Sequence, residues 1–143
     1  MSIYLDASFL IPMLVEENRS AVVNAYLIAA ERELLVSEFA AAEVASALSR
    51  LVRMHLLASD DAAARLADFE AWRAAASSQV DVQPADARLA YAYVRRFELM
   101  LRAPDALHLA IATRLEASIV TLDRRMERAA QQLGIATEVV QTN

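Results

Sequence analysis

The stretch SIYLDAS, Ser2 to Ser8, sets three apolar residues between small polar ones and then places a carboxylate directly after them. A short unbroken apolar run suits a fully buried parallel strand over Ile3 to Leu5 better than a half-exposed strand, which would alternate. Asp6 then stands at the strand's C-terminal end, the edge of an open α/β sheet where ligands bind. It equally suits the N-cap of a helix beginning near Phe9. Similar strand-like runs lie at Leu34 to Val36, Val80 to Val82, Ile119 to Leu122 and Glu138 to Val140, separated by helical stretches rich in the chain's 31 alanines. Strands alternating with helices predict an α/β fold built on a parallel sheet.

Helix starts are marked by Ser37, with a helix to about His55, by Ser59 with Asp60 and Asp61, with a helix to about Ala76, by Pro84 with Asp86, and by Pro104. Gly134, the single glycine, follows DRRMERAAQQL where a helix C-cap is expected. One glycine excludes a Rossmann or P-loop nucleotide site. A length of 143 residues predicts one domain. The longest uncharged runs fall well short of the roughly 20 apolar residues of a membrane span. With no basic leader and no cysteine, a cytoplasmic protein without disulfides or thiolate zinc sites is expected.

The net charge is −5, and all 14 basic residues are arginine. Eight arginines against six acids lie between Asp86 and Arg128, so the basic character is local. An acidic whole disfavours tight non-specific nucleic-acid binding while leaving a local basic site open.

Four acids occupy positions that a parallel sheet gathers at one edge. Asp6 follows the first strand. Glu43 lies at the border of the polar arc of SEFAAAEVASALSRLV, beside the apolar face of Val44, Ala47, Leu48, Leu51 and Val52. Asp105 enters in the first turn of RAPDALHLAIATRL, a helix apolar around most of its circumference, and Asp123 follows a strand in IVTLDRRM. Each has a plain structural alternative: a cap for the three aspartates, a solvated helix face for Glu43. His108, one turn beyond Asp105, is taken as a satisfied core residue and left outside the site. Clustered carboxylates repel one another and supply hard oxygen donors, so their convergence predicts a site for Mg²⁺ or Mn²⁺.

YLDAS, the Glu43 helix with EVASAL, APDALHLAIA, TLDRRM and an A-x-x-L-G-I ending occur in an order that resembles the PIN-domain ribonucleases, most closely the VapC toxins of bacterial toxin-antitoxin pairs. The resemblance implies a single PIN domain over residues 1–143, with a five-stranded parallel sheet flanked by helices. Asp6, Glu43, Asp105 and Asp123 are then the catalytic and metal-binding acids, with Thr121 and Ser8 as supporting polar residues. The activity implied is Mg²⁺- or Mn²⁺-dependent endoribonucleolytic hydrolysis of structured RNA, tRNA or rRNA, restrained by a VapB-like antitoxin.

Arg102 ahead of Asp105, and Arg124 and Arg125 after Asp123, are candidate substrate contacts, since a guanidinium binds phosphate bidentately. The apolar segments FLIPMLVEE, AVVNAYLIAA and LSRLVRMHLL suit either core or a surface for antitoxin or a second copy, and a homodimer without membrane association is expected. Rival readings are a non-catalytic RNA-binding PIN fold and a DNA-directed nuclease. A receiver-like phosphoacceptor, which resembles a family that relies on a lysine at a later strand end, is disfavoured because the chain has no lysine.

Overall fold

In the computed structural model, which describes residues 1–138 and 140, one or more helices separate each strand from the next. The strands β1 (Ile3–Leu5), β2 (Leu34–Ser37), β3 (Ser78–Val80), β4 (Ser118–Val120) and β5 (Thr137–Glu138) form one parallel sheet in the order β3-β2-β1-β4-β5. In register, Ile3 pairs with Leu34 on one side and Ser118 on the other. From β1 the chain builds outward to β2 and β3, then returns to place β4 on β1's opposite flank. The β1/β4 boundary is therefore the point where strand order reverses, and the crevice outside its C-terminal ends is the natural ligand position.

Helices α1 (Ala7–Leu14), α2 (Ser20–Ala29), α3 (Glu38–Arg53) and α4 (Ser59–Ala76) precede β3; α5 (Pro84–Val94), a single 3-10 turn (Phe97–Leu99) and α6 (Ala103–Arg114) precede β4; α7 (Arg124–Gln132) follows it. Alternation along the strands divides the core into two faces. Ile3, Leu5, Leu34, Val36 and Val120 pack against Phe9, Leu10, Val23, Val44 and Phe69 from α1 to α4. Tyr4, Leu35, Val80 and Ile119 pack against Leu109, Ile111, Met126, Ala129 and Ala130 from α6 and α7. Phe9, Leu10 and Val23 are fully buried, so much of the apolar early segments is core. Each such side chain contributes about 1.5–3 kcal/mol by leaving water.

Helix α6 is buried from Ala106 through Ala112 except for the half-buried Leu107, as its all-round apolar sequence predicts. Ala90 of α5 meets Ala106 and Ala110, where small side chains allow close approach. Arg114 at the end of α6 donates to both carboxylate oxygens of buried Asp86 near the start of α5, at 2.7 and 3.0 Å. This ties the start of α5 to the end of α6, the end away from Asp105, and closes the two helices as an antiparallel pair.

Three boundaries differ from expectation. Strand β3 lies at Ser78–Val80, not Val80 to Val82: Ser78, Gln79 and Val80 pair with Leu35, Val36 and Ser37, while Val82 is exposed. Strand β4 ends at Val120, because Thr121 turns out of the ladder to bond Asp6. Strand β5 is found at Thr137–Glu138, and Val139 of the expected run lies outside the described residues.

Candidate active site

A cleft of about 220 Å³ opens at the β1/β4 switch point, and Asp6, Ser8, Glu43, Asp105, His108 and Asp123 line it. The four acids arrive on four elements: Asp6 from the end of β1, Glu43 from the second turn of α3, Asp105 from the first turn of α6 and Asp123 from the start of α7. Three of them also cap helices. Asp6 Oδ1 accepts from the Phe9 N–H at 3.3 Å. Asp105 Oδ2 accepts from the Arg102 N–H at 3.3 Å. Asp123 Oδ1 accepts from the N–H groups of Arg125 and Met126 at 2.8 and 3.4 Å. Capping and lining the cleft are compatible because a carboxylate has two oxygens. A helix N-terminus also favours negative charge, which eases the gathering of several acids.

Asp6 is the deepest of the four, at 3% exposure. Ser8 Oγ donates to its carboxylate and Thr121 Oγ1 donates to Oδ2 at 3.0 Å, while Ser8 and Thr121 stand 3.1 Å from each other. The Asp123 N–H in turn donates to Thr121 Oγ1 at 3.0 Å, so one hydroxyl links the acids that follow β1 and β4. Burial pushes the Asp6 carboxyl up from 3.8 to about 6, against the hydrogen bonds it accepts from Ser8, Thr121 and the Phe9 N–H. Burial likewise raises Asp105, opposed by the Arg102 N–H and reinforced by the negative charge of Asp123. Ionisation at these two positions is disfavoured in the protein alone, as expected where carboxylates share a poorly solvated site. Among the described residues no three Asp, Glu, His or Cys groups close into a metal cage.

The arginines are arranged less tightly. Arg102 is exposed, with its Nε 3.8 Å from Asp105 Oδ2. Arg124 and Arg125 are exposed at the first turn of α7, and neither has an ion-pair partner among the described residues.

His108 is a buried, satisfied residue, and it also belongs to the cleft wall. Its Nδ1 lies 2.6 Å from Tyr4 Oη and its Nε2 is hydrogen-bonded to Glu43 Oε1. The residue that the sequence reading left out therefore touches one of the four acids. The only signal was a polar ring at i+3 from Asp105 on an otherwise apolar helix.

An acid-lined cleft at the switch point of a parallel sheet, with no glycine-rich phosphate loop, defines an α/β domain whose site chemistry rests on carboxylates. The family model for the PIN domain matches residues 3–132, and the chain belongs to that family. Solved structures share its fold at low identity. A Mycobacterium tuberculosis VapC20, described as a Sarcin-Ricin loop cleaving toxin, has a TM-score of 0.71 at 17% identity, covering 89% of this chain and 94% of that one. The VapBC2 of Rickettsia felis, bound to a DNA fragment from its promoter, gives 0.71 at 15%, covering 96% and 98%. VapBC-1 of nontypeable Haemophilus influenzae gives 0.70 at 12%, covering 96% and 97%. No curated protein matches the sequence.

Proposed function

We propose that this chain, acting over residues 1–143 as one PIN domain, is a cytoplasmic endoribonuclease of the VapC toxin type. It hydrolyses phosphodiester bonds in structured RNA, tRNA or rRNA, with a divalent cation, and a VapB-like antitoxin restrains it. The observation that carries this reading is the meeting of Asp6, Glu43, Asp105 and Asp123 in one cleft of a PIN-family chain. The fold shared with toxin structures and toxin-antitoxin complexes supports it.

The donor set fits Mg²⁺ or Mn²⁺. Its ligands are all hard oxygens, and Mg²⁺ is held by one or two carboxylates with retained waters and substrate phosphate, so no closed protein cage is required. Asp6, Asp105 and Asp123 would hold the ion, with Glu43 orienting the attacking water or holding a second ion. When bound, the cation neutralises phosphate charge and lowers the pKa of water. Ser8 and Thr121 keep the Asp6 carboxylate fixed. Attack by that water in line on phosphorus would form the new P–O bond as the P–O3′ bond breaks, with one of its protons passing to the 3′ oxygen, leaving 5′-phosphate and 3′-hydroxyl ends. Arg124, Arg125 and Arg102 bind flanking phosphates at the rim.

A groove of about 380 Å³ lined by Ile11, Val15, Ala47, Leu51, Met54 and Leu56, with Glu17 and Arg50 also in its wall, shares Ile11 with the acid cleft. It supports a docking place for an apolar antitoxin segment that closes the site. A homodimer belongs to the same reading, and light scattering at a concentration-independent monomer mass would refute it.

The test is incubation of the purified, partner-free protein with total cellular RNA and with single-stranded DNA, in Mg²⁺ or Mn²⁺, with new 5′ ends sequenced. Discrete RNA cuts lost with EDTA or Asp6→Ala are expected. Binding without cleavage supports the non-catalytic reading instead, and cleavage of DNA alone the DNA-directed one.

A further inference from the structure

Under the acid cleft runs a chain of hydrogen bonds, buried along most of its length, that ends on Glu43. The Ala40 N–H donates to Ser37 Oγ at 3.0 Å, Ser37 Oγ lies 2.7 Å from Tyr4 Oη, Tyr4 Oη lies 2.6 Å from His108 Nδ1, and His108 Nε2 meets Glu43 Oε1. Both ends are directional. A backbone N–H only donates, and an ionised carboxylate only accepts. With a neutral imidazole, one arrangement satisfies every link: Ser37 donates to Tyr4, Tyr4 donates to Nδ1, and Nε2–H donates to Glu43. Ser37, Tyr4 and His108 are all buried, and the rings of Tyr4 and Phe39 lie 5.6 and 5.2 Å from the imidazole, so its orientation is locked by packing as well.

The network links the elements that carry three of the acids. Tyr4 stands two residues before Asp6 on β1, His108 one turn after Asp105 on α6, and Ser37 caps the helix that carries Glu43. Glu43 is the exception among the four, being the one acid that caps no helix, and its side chain is 31% exposed. A glutamate with three rotatable bonds beside other carboxylates would swing away from them unless held.

We propose that His108 is the positioning residue for Glu43, with Tyr4 fixing the ring behind it, so that the Glu43 carboxylate stands toward the other three acids. This rests on the reading that those acids hold a divalent cation. Groups that orient metal-site carboxylates and imidazoles typically change metal affinity or activity 10- to 100-fold when removed.

His108→Asn keeps an amide near the place of Nδ1 and loses the donor to Glu43, while His108→Gln puts an N–H near the place of Nε2. Mn²⁺ affinity is measured by the paramagnetic resonance of free Mn²⁺, and RNA cleavage by kcat and KM separately. His108→Asn should lower Mn²⁺ affinity or kcat about 10- to 100-fold with KM for RNA little changed, and His108→Gln should recover most of it. In a Glu43→Gln background, His108→Asn should add little further loss. Tyr4→Phe, which removes only the hydroxyl, should move the same quantities in the same direction and stands in if His108→Asn fails to fold. Unchanged affinity and kcat in His108→Asn, or a loss that adds in full to that of Glu43→Gln, overturns the proposal.

The tautomer of the metal-free wild type, read from imidazole ¹H–¹⁵N correlations, decides the matter separately. Nε2–H is expected, and a ring carrying only Nδ1–H overturns the proposal. A wild type that binds no Mn²⁺ defeats the nuclease reading, and the tautomer still decides the role of His108.

Discussion

Asp6→Asn removes the most buried charge of the cleft while keeping the side chain's shape. The Asp6 carboxyl rises from 3.8 to about 6 because burial disfavours its ionised form, a gap of about two pH units. At about 1.4 kcal/mol per unit, ionising Asp6 in the folded, metal-free protein costs about 3 kcal/mol relative to the unfolded chain. The sign follows from the raised value. The contribution to stability is fully present below pH 3.8 and is lost as the pH rises through about 6.

Asparagine carries no such cost, yet its amide must donate where Asp6 Oδ2 accepts from Thr121, whose hydroxyl oxygen already accepts from the Asp123 N–H. That rearrangement subtracts about 1 kcal/mol. Asp6→Asn should therefore be less stable than wild type by about 1 kcal/mol near pH 3.5 and more stable by about 2 kcal/mol at pH 7.5. Urea unfolding in EDTA at several pH values between these limits measures the difference, and other titrating groups cancel between the two proteins. A stability difference that does not vary with pH, or an Asn variant that is the weaker protein at pH 7.5, would refute the reasoning. The expected variant is stable and inactive, because its fold is relieved of a charge that the site keeps for its chemistry.

Asp86→Ala, which leaves the guanidinium of Arg114 without its carboxylate, should cost about 3 kcal/mol in chemical unfolding and leave cleavage by the folded protein unchanged. Gly134→Ala should cost about 1 kcal/mol in the same assay: φ is +75° there and nothing lies within 4 Å of the added methyl, so the penalty is conformational. Arg124→Ala with Arg125→Ala should raise KM for RNA and flatten its salt dependence while kcat changes little, because phosphate contacts hold the substrate without entering the chemistry.

The central part of the fold was legible because burial there is complete. Ile3 to Leu5 and Leu34 to Val36 are unbroken apolar runs and are strands, while the edge strand at Ser78–Val80 contains two polar residues and was displaced toward the apolar but exposed Val82. Backbone pairing at a sheet edge leaves little mark on composition. Asp6, Asp105 and Asp123 could be located from sequence because helix starts are where carboxylates are both tolerated and, in a parallel sheet, brought to one edge. The polar links beneath them were not legible. Tyr4 and His108 are 104 residues apart and Glu43 and His108 are 65 apart, and neither periodicity nor local spacing reports a hydrogen bond across such a distance.

The central claim is that these four acids form a divalent-cation site. Crystals grown with Mn²⁺ and measured for its anomalous scattering test it most directly. The account predicts a peak in the cleft, ligated by carboxylate oxygens of Asp6 and at least one of Asp105 and Asp123, and absent from Asp6→Asn crystals grown alike. Saturating Mn²⁺ with no peak in the cleft, or a peak that survives in Asp6→Asn, would contradict it.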